Sequence, residues 1–356
     1  MATGILKICL IFLITCLPML TACTTDSLNH NREIPVFQDV YNIDKIPWHE
    51  LSGKIAFEIH SDTCIPTCFS ILDITTRNYH QIPVRSTFLE EGVILYFLVW
   101  THQPDQLTFL NRTESGEERI ISVDVEGNTT LLYSSGMEPI EIGPPAWSHD
   151  GRVAYQVNTR IHTYLDINEE NLNELWIDHK QFMSAYKDKD NPLNNRFFVR
   201  STPSWSLDGK NLVVSVTNWR GYSALWNVNT ADGSYSMILE KEVETDETGL
   251  FYNPSYSPDG KSIAFSAFMP GDDAHKVWII NSDGSGLRSP ANREGWNPAW
   301  SPDGRYLIYG STRYGLFEFG NPIKYTTGLY LVAAEGGEPI LMTPNHMGAW
   351  LATWRP

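Results

Sequence analysis

Four aromatic residues of this 356-residue chain, Tyr96, Tyr252, Trp296 and Trp350, each stand four residues before a second aromatic that recurs along the sequence. Rings repeated at one position are binding chemistry, because they offer large contact area and stack on sugars and peptide side chains. Polar and aromatic residues in neighbouring connections extend the set: Trp219, Arg220, Tyr222, Asp272, Asp273, His275, Arg313, Tyr314, Phe317 and Phe319, with His346 in the loop before Trp350. Catalytic patterns are missing from the sequence: there is no G-x-S-x-G elbow, no H-E-x-x-H and no P-loop. His275 and His346 belong to no compact spacing motif. The chain is therefore read as a non-enzyme, with no catalytic residue, no cofactor and no metal. Asp188 and Asp190 have the spacing of a calcium loop but lack its Gly at the sixth position and its Glu at the twelfth.

The elements that must carry these residues come from a repeated phrase. NPAWSPDGRYLIY at Asn297–Tyr309 returns as NPSYSPDGKSIAF from Asn253, TPSWSLDGKNLVV from Thr202 and PPAWSHDGRVAY from Pro144. Weaker copies start at Val99 and Pro47, and ATWRP from Ala352 is a truncated last one. The aromatics Trp48, Trp100, Trp147, Trp205, Tyr256, Trp300 and Trp354 are separated by 52, 47, 58, 51, 44 and 54 residues. Such a period belongs to propeller blades or a solenoid. Within each copy, Ser-Pro-Asp-Gly is a type I turn, with Pro setting φ and Gly accepting positive φ at its end. Alternating residues then form the returning strand of a hairpin.

Each unit divides into four strands, A to D from the centre outward. Six B–C–D sets and a spare strand at Ala349–Trp354 predict an all-β, six-bladed propeller of four-stranded antiparallel blades. The C-terminal strand would close the first blade beside Lys54–His60. A strand before Trp48 would compete for that place and give seven blades, the alternative. Residues 159–200 are expected as an insertion, with two helical segments and a polar loop. The repeated Trp is assigned to packing between blades, and the aromatic four residues before it to a loop-lined channel mouth.

Net charge of −16 argues against a nucleic-acid or anionic-membrane surface. Residues 1–22 read as a signal peptide: Lys7, a short apolar run Ile8–Leu20, then Leu20-Thr21-Ala22-Cys23. That ending resembles the lipobox of bacterial lipoproteins, which implies lipidation at Cys23 and a tether over residues 23–44. The fold itself is then expected over 45–356. With Cys9 and Cys16 removed, Cys64 and Cys68 remain, and export predicts a disulfide between them if a turn at Pro66 brings them together. Metal ligation is the weaker reading, because no second Cys/His pair has zinc-like spacing.

PAWSPDGRYLIYGS followed by GLYLVAAEGGEPILMTP resembles the repeats of the TolB-type β-propeller family. The likeness is sharpest over residues 200–356 and extends over about 45–356. It implies a propeller, while the lipobox, followed by Thr24 and not Asp, implies the bacterial cell envelope, on the periplasmic face of the outer membrane or the extracellular surface. The expected activity is recognition of a protein or peptide at the channel mouth by a monomer. A carbohydrate-binding or lyase-type propeller is the alternative. TolB carries an α/β domain before its propeller, whereas about twenty residues separate Cys23 from the first repeat here, so the match is to the propeller.

Overall fold

The structure, a computed structural model, describes residues 41–61, 64–84, 94–135, 143–157, 160–165, 172–173, 197–199, 201–218, 223–241, 250–272, 274–313, 326–344 and 347–355. The signal peptide, Cys23 and the tether up to residue 40 lie outside them. These residues form an all-β propeller of antiparallel, mostly four-stranded blades.

The strands fall into successive sheets. β1 (Lys54–Ser61), β2 (Cys64–Asp73) and β3 (Asn78–Ile82) open the first; β4 (Ile94–Trp100), β5 (Gln106–Arg112), β6 (Glu118–Asp124) and β7 (Thr129–Ser134) make the second. The third holds β8 (Ala146–Trp147), β9 (Arg152–Val157), β10 (Arg160–Leu165) and β11 (Leu172–Asn173). The fourth holds β12 (Phe197–Val199), β13 (Ser204–Trp205), β14 (Asn211–Asn218), β15 (Ser223–Asn229) and β16 (Tyr235–Lys241). β17 (Phe251–Tyr256), β18 (Ser262–Ala267) and β19 (Lys276–Asn281) form the fifth, where β19 is followed not by a fourth strand but by the isolated bridges Ile279↔Arg288 and Lys276↔Glu294. The sixth holds β20 (Trp296–Trp300), β21 (Tyr306–Arg313), β22 (Thr326–Ala333) and β23 (Ile340–Leu341). β24 (Ala349–Arg355) then pairs antiparallel with β1, placing Trp354 opposite Ile55 and Ala352 opposite Phe57.

The recurring turn explains why the phrase repeats. In Ser148–Gly151, Ser206–Gly209, Ser257–Gly260 and Ser301–Gly304, the Gly N–H returns to the Ser carbonyl at 2.9–3.2 Å, and the Gly φ lies between 66° and 91°. Positive φ is open to Gly without the Cβ clash other residues meet. The Ser hydroxyl donates to Asp208, Asp259 or Asp303 at 2.7 Å and accepts the N–H that opens the next strand, at 2.9–3.0 Å. The Ser hydroxyl, the Ser carbonyl and the Gly N–H are thus all used within or beside the tight corner.

The Trp indoles tie sheet to sheet. Trp205 Nε1 donates to Ala146 O, Trp300 Nε1 to Ser255 O and Trp100 Nε1 to Thr353 O, at 2.9–3.2 Å. Each acceptor is the residue just before the wedge aromatic of the neighbouring sheet. The rings themselves are buried among aliphatic side chains of two sheets. Truncating one would cost about 3–5 kcal/mol by lost burial and cavity formation.

Several expectations change. Trp48 is not a wedge on a strand: Ile43–Lys45 and Trp48–Glu50 are 3-10 turns. Pro47, just before that second turn, donates no N–H to a ladder. Cys64–Cys68 is not a turn but the start of β2, paired with β1 across Ser61↔Cys64 and Ile59↔Cys68. β3 reaches only as far as Phe69, so Pro66 sits where β2 has no second partner strand among the described residues, a place an edge Pro tolerates. The Cys64 side chain lies outside the described residues. The third sheet does not lose its pattern at residue 159, since β10 and β11 complete it. Leu172 and Asn173 are strand instead of helix, and β12 already belongs to the fourth sheet. The other expected helical and polar segments fall outside the described residues. In the sixth sheet β21 and β22 stay paired up to Thr312, opposite Thr327, and Arg313, opposite Thr326.

Candidate functional site

The inner strands share one local distortion. Phe97, Asn253, Asn297 and Leu351 lie three residues before Trp100, Tyr256, Trp300 and Trp354, and all have positive φ, from 43° to 61°. At each, the pairing with the next strand slips by a bulge. Asn takes this conformation more readily than other non-Gly residues; Phe97 and Leu351 store strain of about 1–2 kcal/mol each. The bulge turns these residues toward a central cavity of about 330 Å³, bordered by residues preceding the wedge in every sheet. The next position is Pro145, Pro203, Pro254 or Pro298 in four units, so no N–H is left there to satisfy. The second sheet has Leu98 instead, and its N–H is accepted at 3.2 Å by Glu58, a carboxylate only 1% exposed.

Tyr252 and Trp296, expected in loops, instead lie within β17 and β20 and directly precede the bulged Asn253 and Asn297. Tyr252 and Trp296 have ring centroids 6.1 Å apart, and His275 stacks on Trp296 at 3.8 Å and 28°. Phe268 also stacks on His275, at 5.6 Å, and Tyr252 tilts against it at 5.9 Å. Burial pushes the His275 imidazole down to about 4, so it is neutral near pH 7. Its buried Nε2 has no partner among the described residues. Three residues chosen from sequence are thus one packed cluster, joined by Phe268, which sequence reasoning passed over. Its position at the end of an apolar strand gave no signal.

The remaining candidates divide. Trp350 packs on the sixth sheet: a Cβ on Gly310 would come within 3.0 Å of its ring. Asp272 is taken up by its own loop, holding Lys276 at 3.2 Å and accepting the Met269 N–H at 2.9 Å. Trp296 Nε1 donates to Glu294 at 3.2 Å. Tyr96 and Arg313 are placed as strand residues opposite Leu110 and Thr326, but their side chains are outside the described residues. Trp219, Arg220, Tyr222, Asp273, Tyr314, Phe317, Phe319 and His346 lie outside them altogether. Among the described residues no cluster of His, Cys, Asp and Glu could hold a metal ion.

No protein-family profile matches the chain. A stretch of 99 residues, 28% of the chain, is 31% identical to the Tol-Pal system protein TolB of Francisella tularensis subsp. mediasiatica. That stretch spans only 20% of the TolB protein's length. An uncharacterized protein of Agrobacterium fabrum, Atu1656, is 27% identical over 151 residues, 40% of this chain and 47% of the relative. An uncharacterized peptidase of Bacillus subtilis, YuxL, is 30% identical over 110 residues, 29% of this chain and 15% of the peptidase. Among solved structures, TolB from Acinetobacter baumannii superposes with a TM-score of 0.55 at 16% identity, over 85% of this chain and 67% of that one. Putative TolB from Agrobacterium tumefaciens gives 0.51 at 16% identity, over 86% and 99%. At such identity these superpositions establish the fold alone. The fold they establish is the TolB-like propeller.

Proposed function

We propose that the protein is a cell-envelope propeller that binds a protein or peptide partner at the mouth of its central channel and performs no catalysis. The observation that carries this reading is the Tyr252–His275–Trp296 cluster, whose two strand aromatics directly precede the bulged Asn253 and Asn297. Large rings at a rim are the contacts that dominate protein recognition, and the similarity to a Tol-Pal system protein favours an envelope partner. The experiment is affinity capture of envelope proteins by the wild-type protein and by Trp296→Ala with Tyr252→Ala, each checked for an unchanged melting temperature. A partner lost with the double variant supports the reading, and an unchanged partner set removes it.

The same reading takes the sheets as six blades in a closed ring, with β24 as the innermost strand of the first. The β1–β24 pairing and the 3-10 turns at Ile43–Glu50 favour six over seven. We also read Cys23 as lipidated, and Cys64–Cys68 as a disulfide favoured not by a turn but by the bulge of β2, where Cys64 to Cys68 lies opposite only Ser61 to Ile59. Globomycin should block maturation at Cys23, and non-reducing mass spectrometry of the mature protein should find the two cysteines linked.

A further inference from the structure

We propose that the central channel below the mouth is a second binding site, for an uncharged saccharide of one or two rings. This goes beyond the partner-binding reading and stands on different residues. The chain carries 42 Asp and Glu, yet none of the twenty described residues bordering the cavity is charged. A charged ligand entering such a channel would lose hydration with no counter-charge to replace it, a cost of several kcal/mol. A neutral ligand escapes that penalty.

The polar groups that do face the channel suit hydroxyls. Thr202, Ser255 and Thr353 border it from three different sheets, and their hydroxyls have no partner among the described residues. Each can donate one hydrogen bond and accept two, the same dual capacity a sugar hydroxyl has. Ser204, which accepts the Tyr256 N–H, and Asn253, which donates to Asn297, add further polar groups, and the rest of the wall is apolar, including Pro203, Pro254 and Pro298. A sugar ring also alternates hydroxyl edges with C–H faces, so it matches both parts of this wall. The volume of about 330 Å³ is at the lower end of ligand pockets, which fits one or two rings and excludes a longer glycan.

The test is calorimetry and ligand-observed NMR of the folded protein with glucose, N-acetylglucosamine and maltose, alongside glucosamine and glucuronate. At least one neutral sugar should bind, with charged sugars at least tenfold weaker. Ser255→Phe, which plugs the channel, should abolish binding. Thr202→Val with Thr353→Val should weaken it about tenfold, the loss expected for one or two hydrogen bonds, without moving the melting temperature. No binding by any neutral sugar at millimolar concentration, equal binding of the charged ones, or equal binding by the plugged variant would each overturn the proposal. Partner capture through Trp296 and Tyr252 uses neither threonine, so either reading can fail while the other survives.

Discussion

The indole N–H of Trp100 donates to the carbonyl of Thr353, a residue 253 positions later in the chain, at 3.2 Å. It is the same bond that joins Trp300 to Ser255 and Trp205 to Ala146 between sheets consecutive in sequence. The C-terminal strand therefore presents its carbonyl to the second sheet as any other inner strand would. Arg355 reinforces the joint by stacking over Trp100 at 5.1 Å and donating to Gln103 O at 2.9 Å. Trp100→Phe keeps most of the ring but leaves a carbonyl unpaired, which should cost about 1–3 kcal/mol in urea unfolding. Trp300→Phe should cost the same within about 0.5 kcal/mol, because the geometry is the same. A much smaller loss at Trp100 would mean the terminal strand is not held as the others are.

Arg152 makes a second type of joint. It stacks over Trp205 at 4.6 Å, donates to Gly209 O at 2.6 Å and holds Asp150 at 3.0 Å, so it bridges the turns of two sheets. Lys210 and Lys261 at equivalent places reach only the Asp two residues back. Arg152→Lys keeps the charge but cannot stack and fork at once, and should already lose about 1 kcal/mol of stability. Lys261→Ala, an exposed pair, should stay within about 0.5 kcal/mol. Chemical denaturation of the two variants checks the contrast.

These joints show what the sequence could and could not reveal. The turn and the wedge were legible because both are local: Ser, Asp and Gly within four residues must satisfy one corner, and the Trp must cross to the next sheet. Tyr252, Trp296 and His275 could be placed at one level because a period of known length fixes height. Their packing against Phe268 could not, since ring contacts depend on how two sheets meet. Positions without the repeat's punctuation went wrong. Trp48 mimics a wedge but follows Pro47 in a 3-10 turn, and Pro66 mimics a turn but lies on a strand edge. Asn253 and Asn297 stand before Pro254 and Pro298, and this Asn-Pro pair is the sequence signal of the bulged inner strand.

His275 should make stability pH-dependent above the range where carboxylates titrate. Burial lowers its pKa to about 4, against about 6.5 when unfolded, so the unfolded chain binds the extra proton between these values. The stabilisation is complete above pH 6.5 and is lost as pH falls toward 4, by up to about 3 kcal/mol at 1.36 kcal/mol per unit. His275→Phe preserves a ring between Trp296 and Phe268 and cannot titrate. Its unfolding free energy should be nearly flat across that window while wild type declines. Below it, Asp208 and Asp259 take over: hydrogen bonds from Ser206 and Ser257 lower their pKa values, so both proteins should lose stability there. Parallel curves for the two proteins between pH 6.5 and 4 would show that His275 is not the group responsible.

Glu58 offers a test of why the inner strands favour Pro. Four units place Pro two residues before the wedge aromatic, removing a backbone donor, whereas Leu98 keeps its N–H and spends a buried carboxylate on it. Glu58→Ala leaves that donor unpaired in the interior and should destabilise by about 1–3 kcal/mol. Leu98→Pro in the same protein removes the donor, and the preceding Phe97 already has the positive φ that Asn253 and Asn297 hold before Pro254 and Pro298. The double variant should therefore regain about half or more of the loss, although Leu98→Pro alone deprives Glu58 of a partner and is itself destabilising. This sign reversal is what thermal melting of the four proteins in the cycle should find. Simple additivity would mean that Glu58 is held by its other surroundings and that the missing proline is not the reason for its presence.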